Sequence, residues 1–286
     1  MSWNQLTLDV PDDLKDAVIG ELSEESVSGV WESGEPVPGQ TRLVLYFGPR
    51  SNLENIERRV RTIFARTGLP DPAISRSMVE ECDWMEEWKK SYTSFPIGDD
   101  FFVIPSWEQI ECPADRLPIR IDPGQAFGTG THETTQLTIE ALERWVDPSH
   151  VVLDIGTGSG ILAIASRLLG AKEVFGCDID PVAAQVARAN IERNAGNNVW
   201  AFCGSVDAMK SESVRLILCN LTADLIASLF GEINRVLQPN GIAIFSGILR
   251  EQNEDVCSVI SRFRFTIHEE LIRGEWTALV AEKHVA

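Results

Sequence analysis

The stretch Val151-Val152-Leu153-Asp154-Ile155-Gly156-Thr157-Gly158-Ser159-Gly160-Ile161-Leu162-Ala163-Ile164-Ala165 decides the fold. An apolar run closes on Asp154 and Ile155. Glycines then stand at alternate positions, and an apolar pattern of helical period takes over. A strand, a glycine-rich turn and a helix in this order hold a nucleoside-bearing ligand at the C-terminal edge of a parallel sheet. One glycine would serve a tight turn; three at alternate positions point to a ligand.

Strand and helix patterns alternate beyond this unit. Strands are expected at 151–155, 173–178, 198–203, 214–221 and 241–247, with helices at 158–169, 181–194, 222–237 and 250–263. Two runs, 265–272 and 276–282, flank Arg273-Gly274 and read as a closing antiparallel hairpin. Upstream, 101–105 and 119–122 are short strands. The first eighty residues follow the order βαββαβ, with strands at 3–10, 28–32, 41–47 and 73–79. Helices there run from Pro11 to about Glu25, and from Asn52 to a stop at Gly68 and Pro70. This is a ferredoxin-like pattern. Asp83 to Tyr92 reads as a short helix with Trp84 and Trp88 on one face, either packed on a domain or acting as a hinge. The expected domains are therefore 1–80, a linker at 81–97, and a ligand-binding domain at 98–286.

The nucleoside ligand has two candidate forms. Gly158-x-Gly160-x-x-Ala163 fits a dinucleotide fingerprint, with Asp178 near the distance for a ribose contact. A pyrophosphate needs a helix N-terminus open to an anion, and Asp154 places a carboxylate beside that turn. S-adenosylmethionine carries cationic amino and sulfonium groups and no phosphate, so a carboxylate there is favourable. Asp178 would accept both ribose hydroxyls. The pattern D-x-G-x-G-x-G, an acidic residue ending the next strand, and the terminal hairpin match the class I methyltransferase arrangement: a Rossmann-like α/β fold with a seven-stranded sheet.

The stretch Pro123-Gly124-Gln125-Ala126-Phe127-Gly128-Thr129-Gly130-Thr131-His132-Glu133-Thr134-Thr135 goes further. With Asp83-Trp84 and Trp88-Lys89, Ile104-Pro105-Ser106-Trp107 and Asn220-Leu221-Thr222-Ala223, it strongly resembles the PrmA family, which methylates the large-subunit ribosomal protein L-eleven. The resemblance implies a small substrate-recognition domain, a helical linker and a class I catalytic domain. It implies methylation of lysine ε-amines and of the N-terminal α-amine of one ribosomal protein. It also carries cofactor contacts onto Thr135, Gly156, Asp178 and Asn220.

From the residues themselves, Asp154 and Gly158 join the cofactor-binding candidates, and so do Gly128 and Gly130, which would let a covering loop hinge. Phe127 would sit near the methyl end. The Asn220 side chain and the Leu221 backbone carbonyl would accept the amine's hydrogens; alternatively, Asn220 caps the following helix. His132 orients the loop or receives a proton. Leu221 and Thr222 replace the N-P-P-Y sequence used for planar acceptors, which favours an aliphatic amine.

Bulk properties bound the rest. The net charge of −18 over 286 residues disfavours naked nucleic acid and suits a basic partner, or simply keeps the chain soluble. No apolar stretch is long enough for a membrane span, and the N-terminus lacks signal-peptide features. Six scattered cysteines without a C-x-x-C pair imply neither a metal site nor a disulfide framework, and fit a reducing cytoplasm. A monomer is expected. A methyltransferase of this fold acting on another protein lysine, on RNA or on a small molecule stays open, as does an NAD-dependent oxidoreductase.

Overall fold

A computed structural model describes residues 2–11, 14–15, 18–19, 27–32, 39–48, 51–80, 89, 92–124, 126–194 and 197–284. The chain divides into two compact units, Met1–Tyr92 and Thr93–Ala286.

The N-terminal unit holds β1 (Ser2–Pro11), β2 (Val27–Glu32), β3 (Gln40–Phe47), helix α1 (Leu53–Thr67) and β4 (Ile74–Glu80). The sheet order is β2-β3-β1-β4, with every pairing antiparallel. This is the ferredoxin-like order. Alternation puts Leu6, Leu8, Leu43, Leu45 and Phe47 on one face, where they pack on Ile56, Val60 and Phe64 of α1. Asn52 caps α1 by accepting the Asn55 N–H (3.1 Å), as its sequence position predicts. Of the helix expected from Pro11 to Glu25 only positions 11, 14, 15, 18 and 19 are described, and Pro11 belongs to β1. The Trp84–Trp88 helix also lies outside them.

The C-terminal unit is built on β8 (Val151–Ile155), β9 (Glu173–Asp178), β10 (Val199–Cys203), β11 (Val214–Asn220), β12 (Leu237–Leu249), β13 (Phe265–Arg273) and β14 (Trp276–Lys283). Their order is β10-β9-β8-β11-β12-β14-β13. The first five run parallel, and β14 enters antiparallel between β12 and β13. The seven-stranded class I sheet and its closing hairpin are as expected.

Helices α2 (Glu133–Trp145), α3 (Ile161–Leu168), α4 (Pro181–Asn194), α5 (Ala223–Val236) and α6 (Asn253–Arg262) accompany the sheet. Phe230 of α5 is fully buried, stacked on Phe245 at 5.3 Å and edge-on to Phe265 at 5.3 Å. Side chains of this size contribute roughly 1.5–3 kcal/mol each when buried.

A further sheet was only partly anticipated. Strand β5 (Phe95–Ile97) pairs antiparallel with β6 (Phe101–Pro105), and β6 pairs parallel with β7 (Leu117–Ile121). Three residues, one of them Pro96, are too few to show an alternating pattern. This sheet matters because β7 leads straight into the glycine-bearing loop 122–132.

Candidate active site

Strand order reverses between β8 and β11, so the connections that leave their C-terminal ends turn to opposite faces of the sheet and leave a crevice there. A cavity of about 590 Å³ occupies it, a size suited to a nucleoside-bearing ligand. Its wall includes Phe127, Gly156, Gly158, Asp178, Asn220 and Leu221, so six of the expected residues meet in one place.

The glycine turn shows why this ligand is not a dinucleotide. The Gly158 N–H donates to Asp178 Oδ2 (3.0 Å), and the Gly160 N–H to the Thr157 carbonyl (2.8 Å). The Ser159 N–H donates to the Phe127 carbonyl (2.9 Å), and the Ile161 N–H to the Ser159 hydroxyl (3.3 Å). The amides that would cradle a pyrophosphate already have partners. Among the described residues the cavity wall carries Asp178 and Asp180 but no Lys or Arg. That electrostatics rejects phosphates and fits a cationic, phosphate-free nucleoside such as S-adenosylmethionine. Asp178 sits half-buried at the end of β9, where each carboxylate oxygen keeps capacity beyond the Gly158 and Asp180 amides it accepts.

Four expected cofactor contacts are placed differently. Asp154 is fully buried and off the cavity wall, because its carboxylate turns inward to accept the Thr157 hydroxyl (2.6 Å). It supports the turn from beneath. Gly128 and Gly130 also lie off the wall. Gly128 gives its carbonyl to the Ser159 hydroxyl (2.6 Å), and Gly130 packs on Ile161 and Phe95. These contacts pin the loop where a hinge was expected. Thr135 is fully buried behind Asn220, whose Nδ2 lies 3.4 Å from its hydroxyl. Thr135 therefore steadies Asn220 instead of touching the cavity.

Burial pushes the Asp154 carboxyl from 3.8 up to about 7, against the opposing pull of the Thr157 hydroxyl. A raised carboxyl pKa favours the folded state at low pH. The stability it contributes is complete below 3.8 and is lost as pH rises to about 7. Thermal denaturation should show Asp154→Asn with a flatter stability profile than the wild type over this window. The full difference is about 4 kcal/mol at most. Identical profiles would show that Asp154 does not titrate with folding.

Asn220 does not cap α5, because Thr222 occupies that position. With Nδ2 directed to Thr135, its Oδ1 is left to accept from the cavity. His132 lines the cavity and caps α2, its Nδ1 accepting the Thr134 N–H (3.3 Å). The same Nδ1 lies 2.8 Å from the Thr134 hydroxyl, so the ring is fixed at the start of its own helix.

Two wall residues escaped the sequence reading. Trp276 opens β14 and lies 5.0 Å, ring to ring, from His132, which is 5.6 Å from Phe127. Nothing local to Trp276 marks it, since its neighbours in the site come from far away in the chain. Gly247 lies within β12 at φ +83°, and a Cβ there would collide with the Leu221 carbonyl oxygen. Its place in Phe245-Ser246-Gly247-Ile248, inside an apolar strand pattern, was the available signal.

Comparison with known proteins identifies a family. The family model described as ribosomal protein L11 methyltransferase (PrmA) matches residues 3–284. The ribosomal protein L11 methyltransferase of Synechococcus elongatus is 36% identical, covering 98% of this chain and 97% of its own length. Its Streptococcus thermophilus counterpart is 32% identical over 98% and 96%. A crystal structure of ribosomal protein L11 methylase from Lactobacillus delbrueckii subsp. bulgaricus is 33% identical and superposes with a TM-score of 0.63. It covers 68% of this chain and 100% of that one.

Proposed function

Because the chain belongs to the ribosomal protein L11 methyltransferase (PrmA) family, we propose that it methylates lysine ε-amines and the N-terminal α-amine of ribosomal protein L11, using S-adenosylmethionine. The observation that carries this reading is the cavity wall, where Asp178 and Asn220 stand at the ends of different strands with no basic side chain described between them.

S-adenosylmethionine supplies an already activated methyl group, so the protein needs no strong acid or metal. Its task is alignment and exclusion of water. Asp178 binds the ribose hydroxyls, and Gly156 and Gly158 let the backbone approach the ligand. Asn220 Oδ1 and the Leu221 carbonyl accept the two hydrogens of the incoming amine, which aims its lone pair into the cavity. Gly247 keeps that carbonyl uncovered. Lysine must arrive deprotonated, and the mostly apolar wall favours its neutral form. Phe127 and Trp276 add apolar ring surface for the aliphatic stem.

The net charge of −18 favours a basic ribosomal protein as partner. The N-terminal unit is the substrate-recognition domain in this reading, and the cytoplasm, where ribosomal proteins are made, is its compartment. No helix among the described residues is long and apolar enough to cross a membrane.

Melting curves with S-adenosylmethionine, S-adenosylhomocysteine and NAD test the donor; stabilisation by NAD alone would overturn it. Mass spectrometry of purified L11 after incubation tests the acceptor. An unchanged mass under conditions where the cofactor binds would count against L11. Asp178→Ala should weaken S-adenosylhomocysteine binding by about 1.5–3 kcal/mol per charge-assisted hydrogen bond removed. Unchanged affinity in calorimetry would take Asp178 out of the site.

A further inference from the structure

Helix α4 presents two asparagines, one turn apart, to the free edge of β7. Asn194 Oδ1 accepts the Arg120 N–H (2.6 Å), and its Nδ2 donates to the Arg120 carbonyl (2.6 Å). Asn190 repeats the pairing two residues later, with Oδ1 accepting the Asp122 N–H (3.0 Å) and Nδ2 donating to the Asp122 carbonyl (3.0 Å). β7 is an edge strand, and such an edge turns the N–H and C=O of alternate residues outward. Residues i and i+4 of a helix are about 6 Å apart along its axis, and residues i and i+2 of a strand about 6.6 Å. The two side-chain amides thus match two successive rungs and stand in for a neighbouring strand.

Asn190 reaches further than its partner. Its Nδ2 also donates to the Ser159 carbonyl (2.8 Å), and its Oδ1 also accepts from Arg193 (2.8 Å). The side chain is fully buried with both donors and both acceptor positions engaged. Ser159 in turn grips the loop, through its N–H to the Phe127 carbonyl (2.9 Å) and its hydroxyl to the Gly128 carbonyl (2.6 Å). One amide therefore ties together the end of β7, the glycine turn and, through Ser159, the backbone that carries Phe127. This segment has no regular ladder of its own to hold it.

We propose that Asn190, with Asn194 as the second rung, is a positioning residue for methyl transfer. It locks the segment 122–128 onto the glycine turn, so that seating the cofactor on the turn also sets Phe127 at the acceptor end of the cavity. The proposal rests on the methyltransferase reading above.

The test compares wild type, Asn190→Ala and Asn194→Ala. The readouts are amide hydrogen exchange across 118–130, S-adenosylhomocysteine affinity by calorimetry, and kcat and KM for methylation of L11. In the wild type, the Arg120 and Asp122 amides should exchange as slowly as a paired strand. Asn190→Ala should release Asp122 and lower kcat by about 10- to 100-fold, with a smaller loss of S-adenosylhomocysteine affinity. Asn194→Ala should release Arg120 with a milder loss of kcat. An unchanged kcat would overturn the proposal, because the loop would then hold without Asn190. An equal loss in affinity would also overturn it, because Asn190 would then only support the cofactor site. Should Asn190→Ala fail to fold, Asn190→Asp decides, because it keeps the acceptor oxygen and loses both Nδ2 donations, to the Asp122 and Ser159 carbonyls: kcat falling with affinity kept supports the anchor, and unchanged kcat overturns it. A wild type that binds no S-adenosylhomocysteine would sink the methyltransferase reading, whereas fast exchange at Asp122 would sink the anchor alone.

Discussion

Asn220→Ala is expected to lower kcat for amine methylation by about 100-fold, with a smaller change in cofactor affinity. The reason lies in how the side chain is held. Asn220 ends β11 at the switch point, and Thr135 stands 3.4 Å behind its Nδ2. The amide therefore cannot rotate freely, and Oδ1 is presented to the cavity as an acceptor. In the proposed reaction, alanine removes that acceptor and leaves only the Leu221 carbonyl to orient the amine. An amine held at one point samples many directions, and transfer in line with the methyl–sulfur bond needs one of them. Steady-state kinetics at saturating cofactor, with L11 as acceptor, measures the effect. A kcat equal to wild type would remove Asn220 from the reaction.

Gly158→Ala should be the most damaging single substitution in the turn. Gly158 has φ +53°, and a Cβ built there falls inside contact distance of the Phe127 carbonyl oxygen. That oxygen cannot retreat without giving up the Ser159 N–H that it accepts at 2.9 Å. Left-handed backbone costs an L residue roughly 1–2 kcal/mol, and overpacking a further 1–3 kcal/mol. The variant should therefore lose about 2–5 kcal/mol of stability, and most of its cofactor binding, since turn and loop both shift. Gly231→Ala is the matched control. Gly231 lies in α5 with nothing within 4 Å of the added Cβ, so alanine there should be neutral or slightly stabilising. Denaturant melts of both variants, with and without S-adenosylhomocysteine, make the comparison. Equal stabilities would show that the turn tolerates a side chain.

The parts of the site that were legible in the sequence are those where chemistry and backbone geometry coincide locally. Gly156, Gly158 and Asp178 belong to one strand–turn–helix–strand run, and each lies on the cavity wall. Asn220 was legible as a polar residue closing an apolar strand. Asp154, Gly128, Gly130 and Thr135 belong to the same motifs, yet none reaches the cavity wall. Motif membership identifies a residue that the turn or loop needs, and both inward and outward faces of a turn are needed. Thr135 supports Asn220 from a position 85 residues away in the chain, a link no local pattern encodes. Trp276 and Gly247 are the converse case, since they enter the site only because β14 and β12 come beside the cavity.

The sequence by itself determined the class I sheet, its closing hairpin and the glycine turn, because alternation, helical period and turn chemistry are written within a few residues of each position. With Asp178 ending the next strand, it favoured a cationic nucleoside donor and left the dinucleotide open. Only the tertiary structure decided which motif residues face the cavity and which hold it up. Only the tertiary structure, likewise, joined loop 122–128 to the turn through Asn190 and Ser159. Those outcomes depend on register between strands and on helix faces that meet across long separations, and the free energy of such contacts exists only once the chain has brought them together.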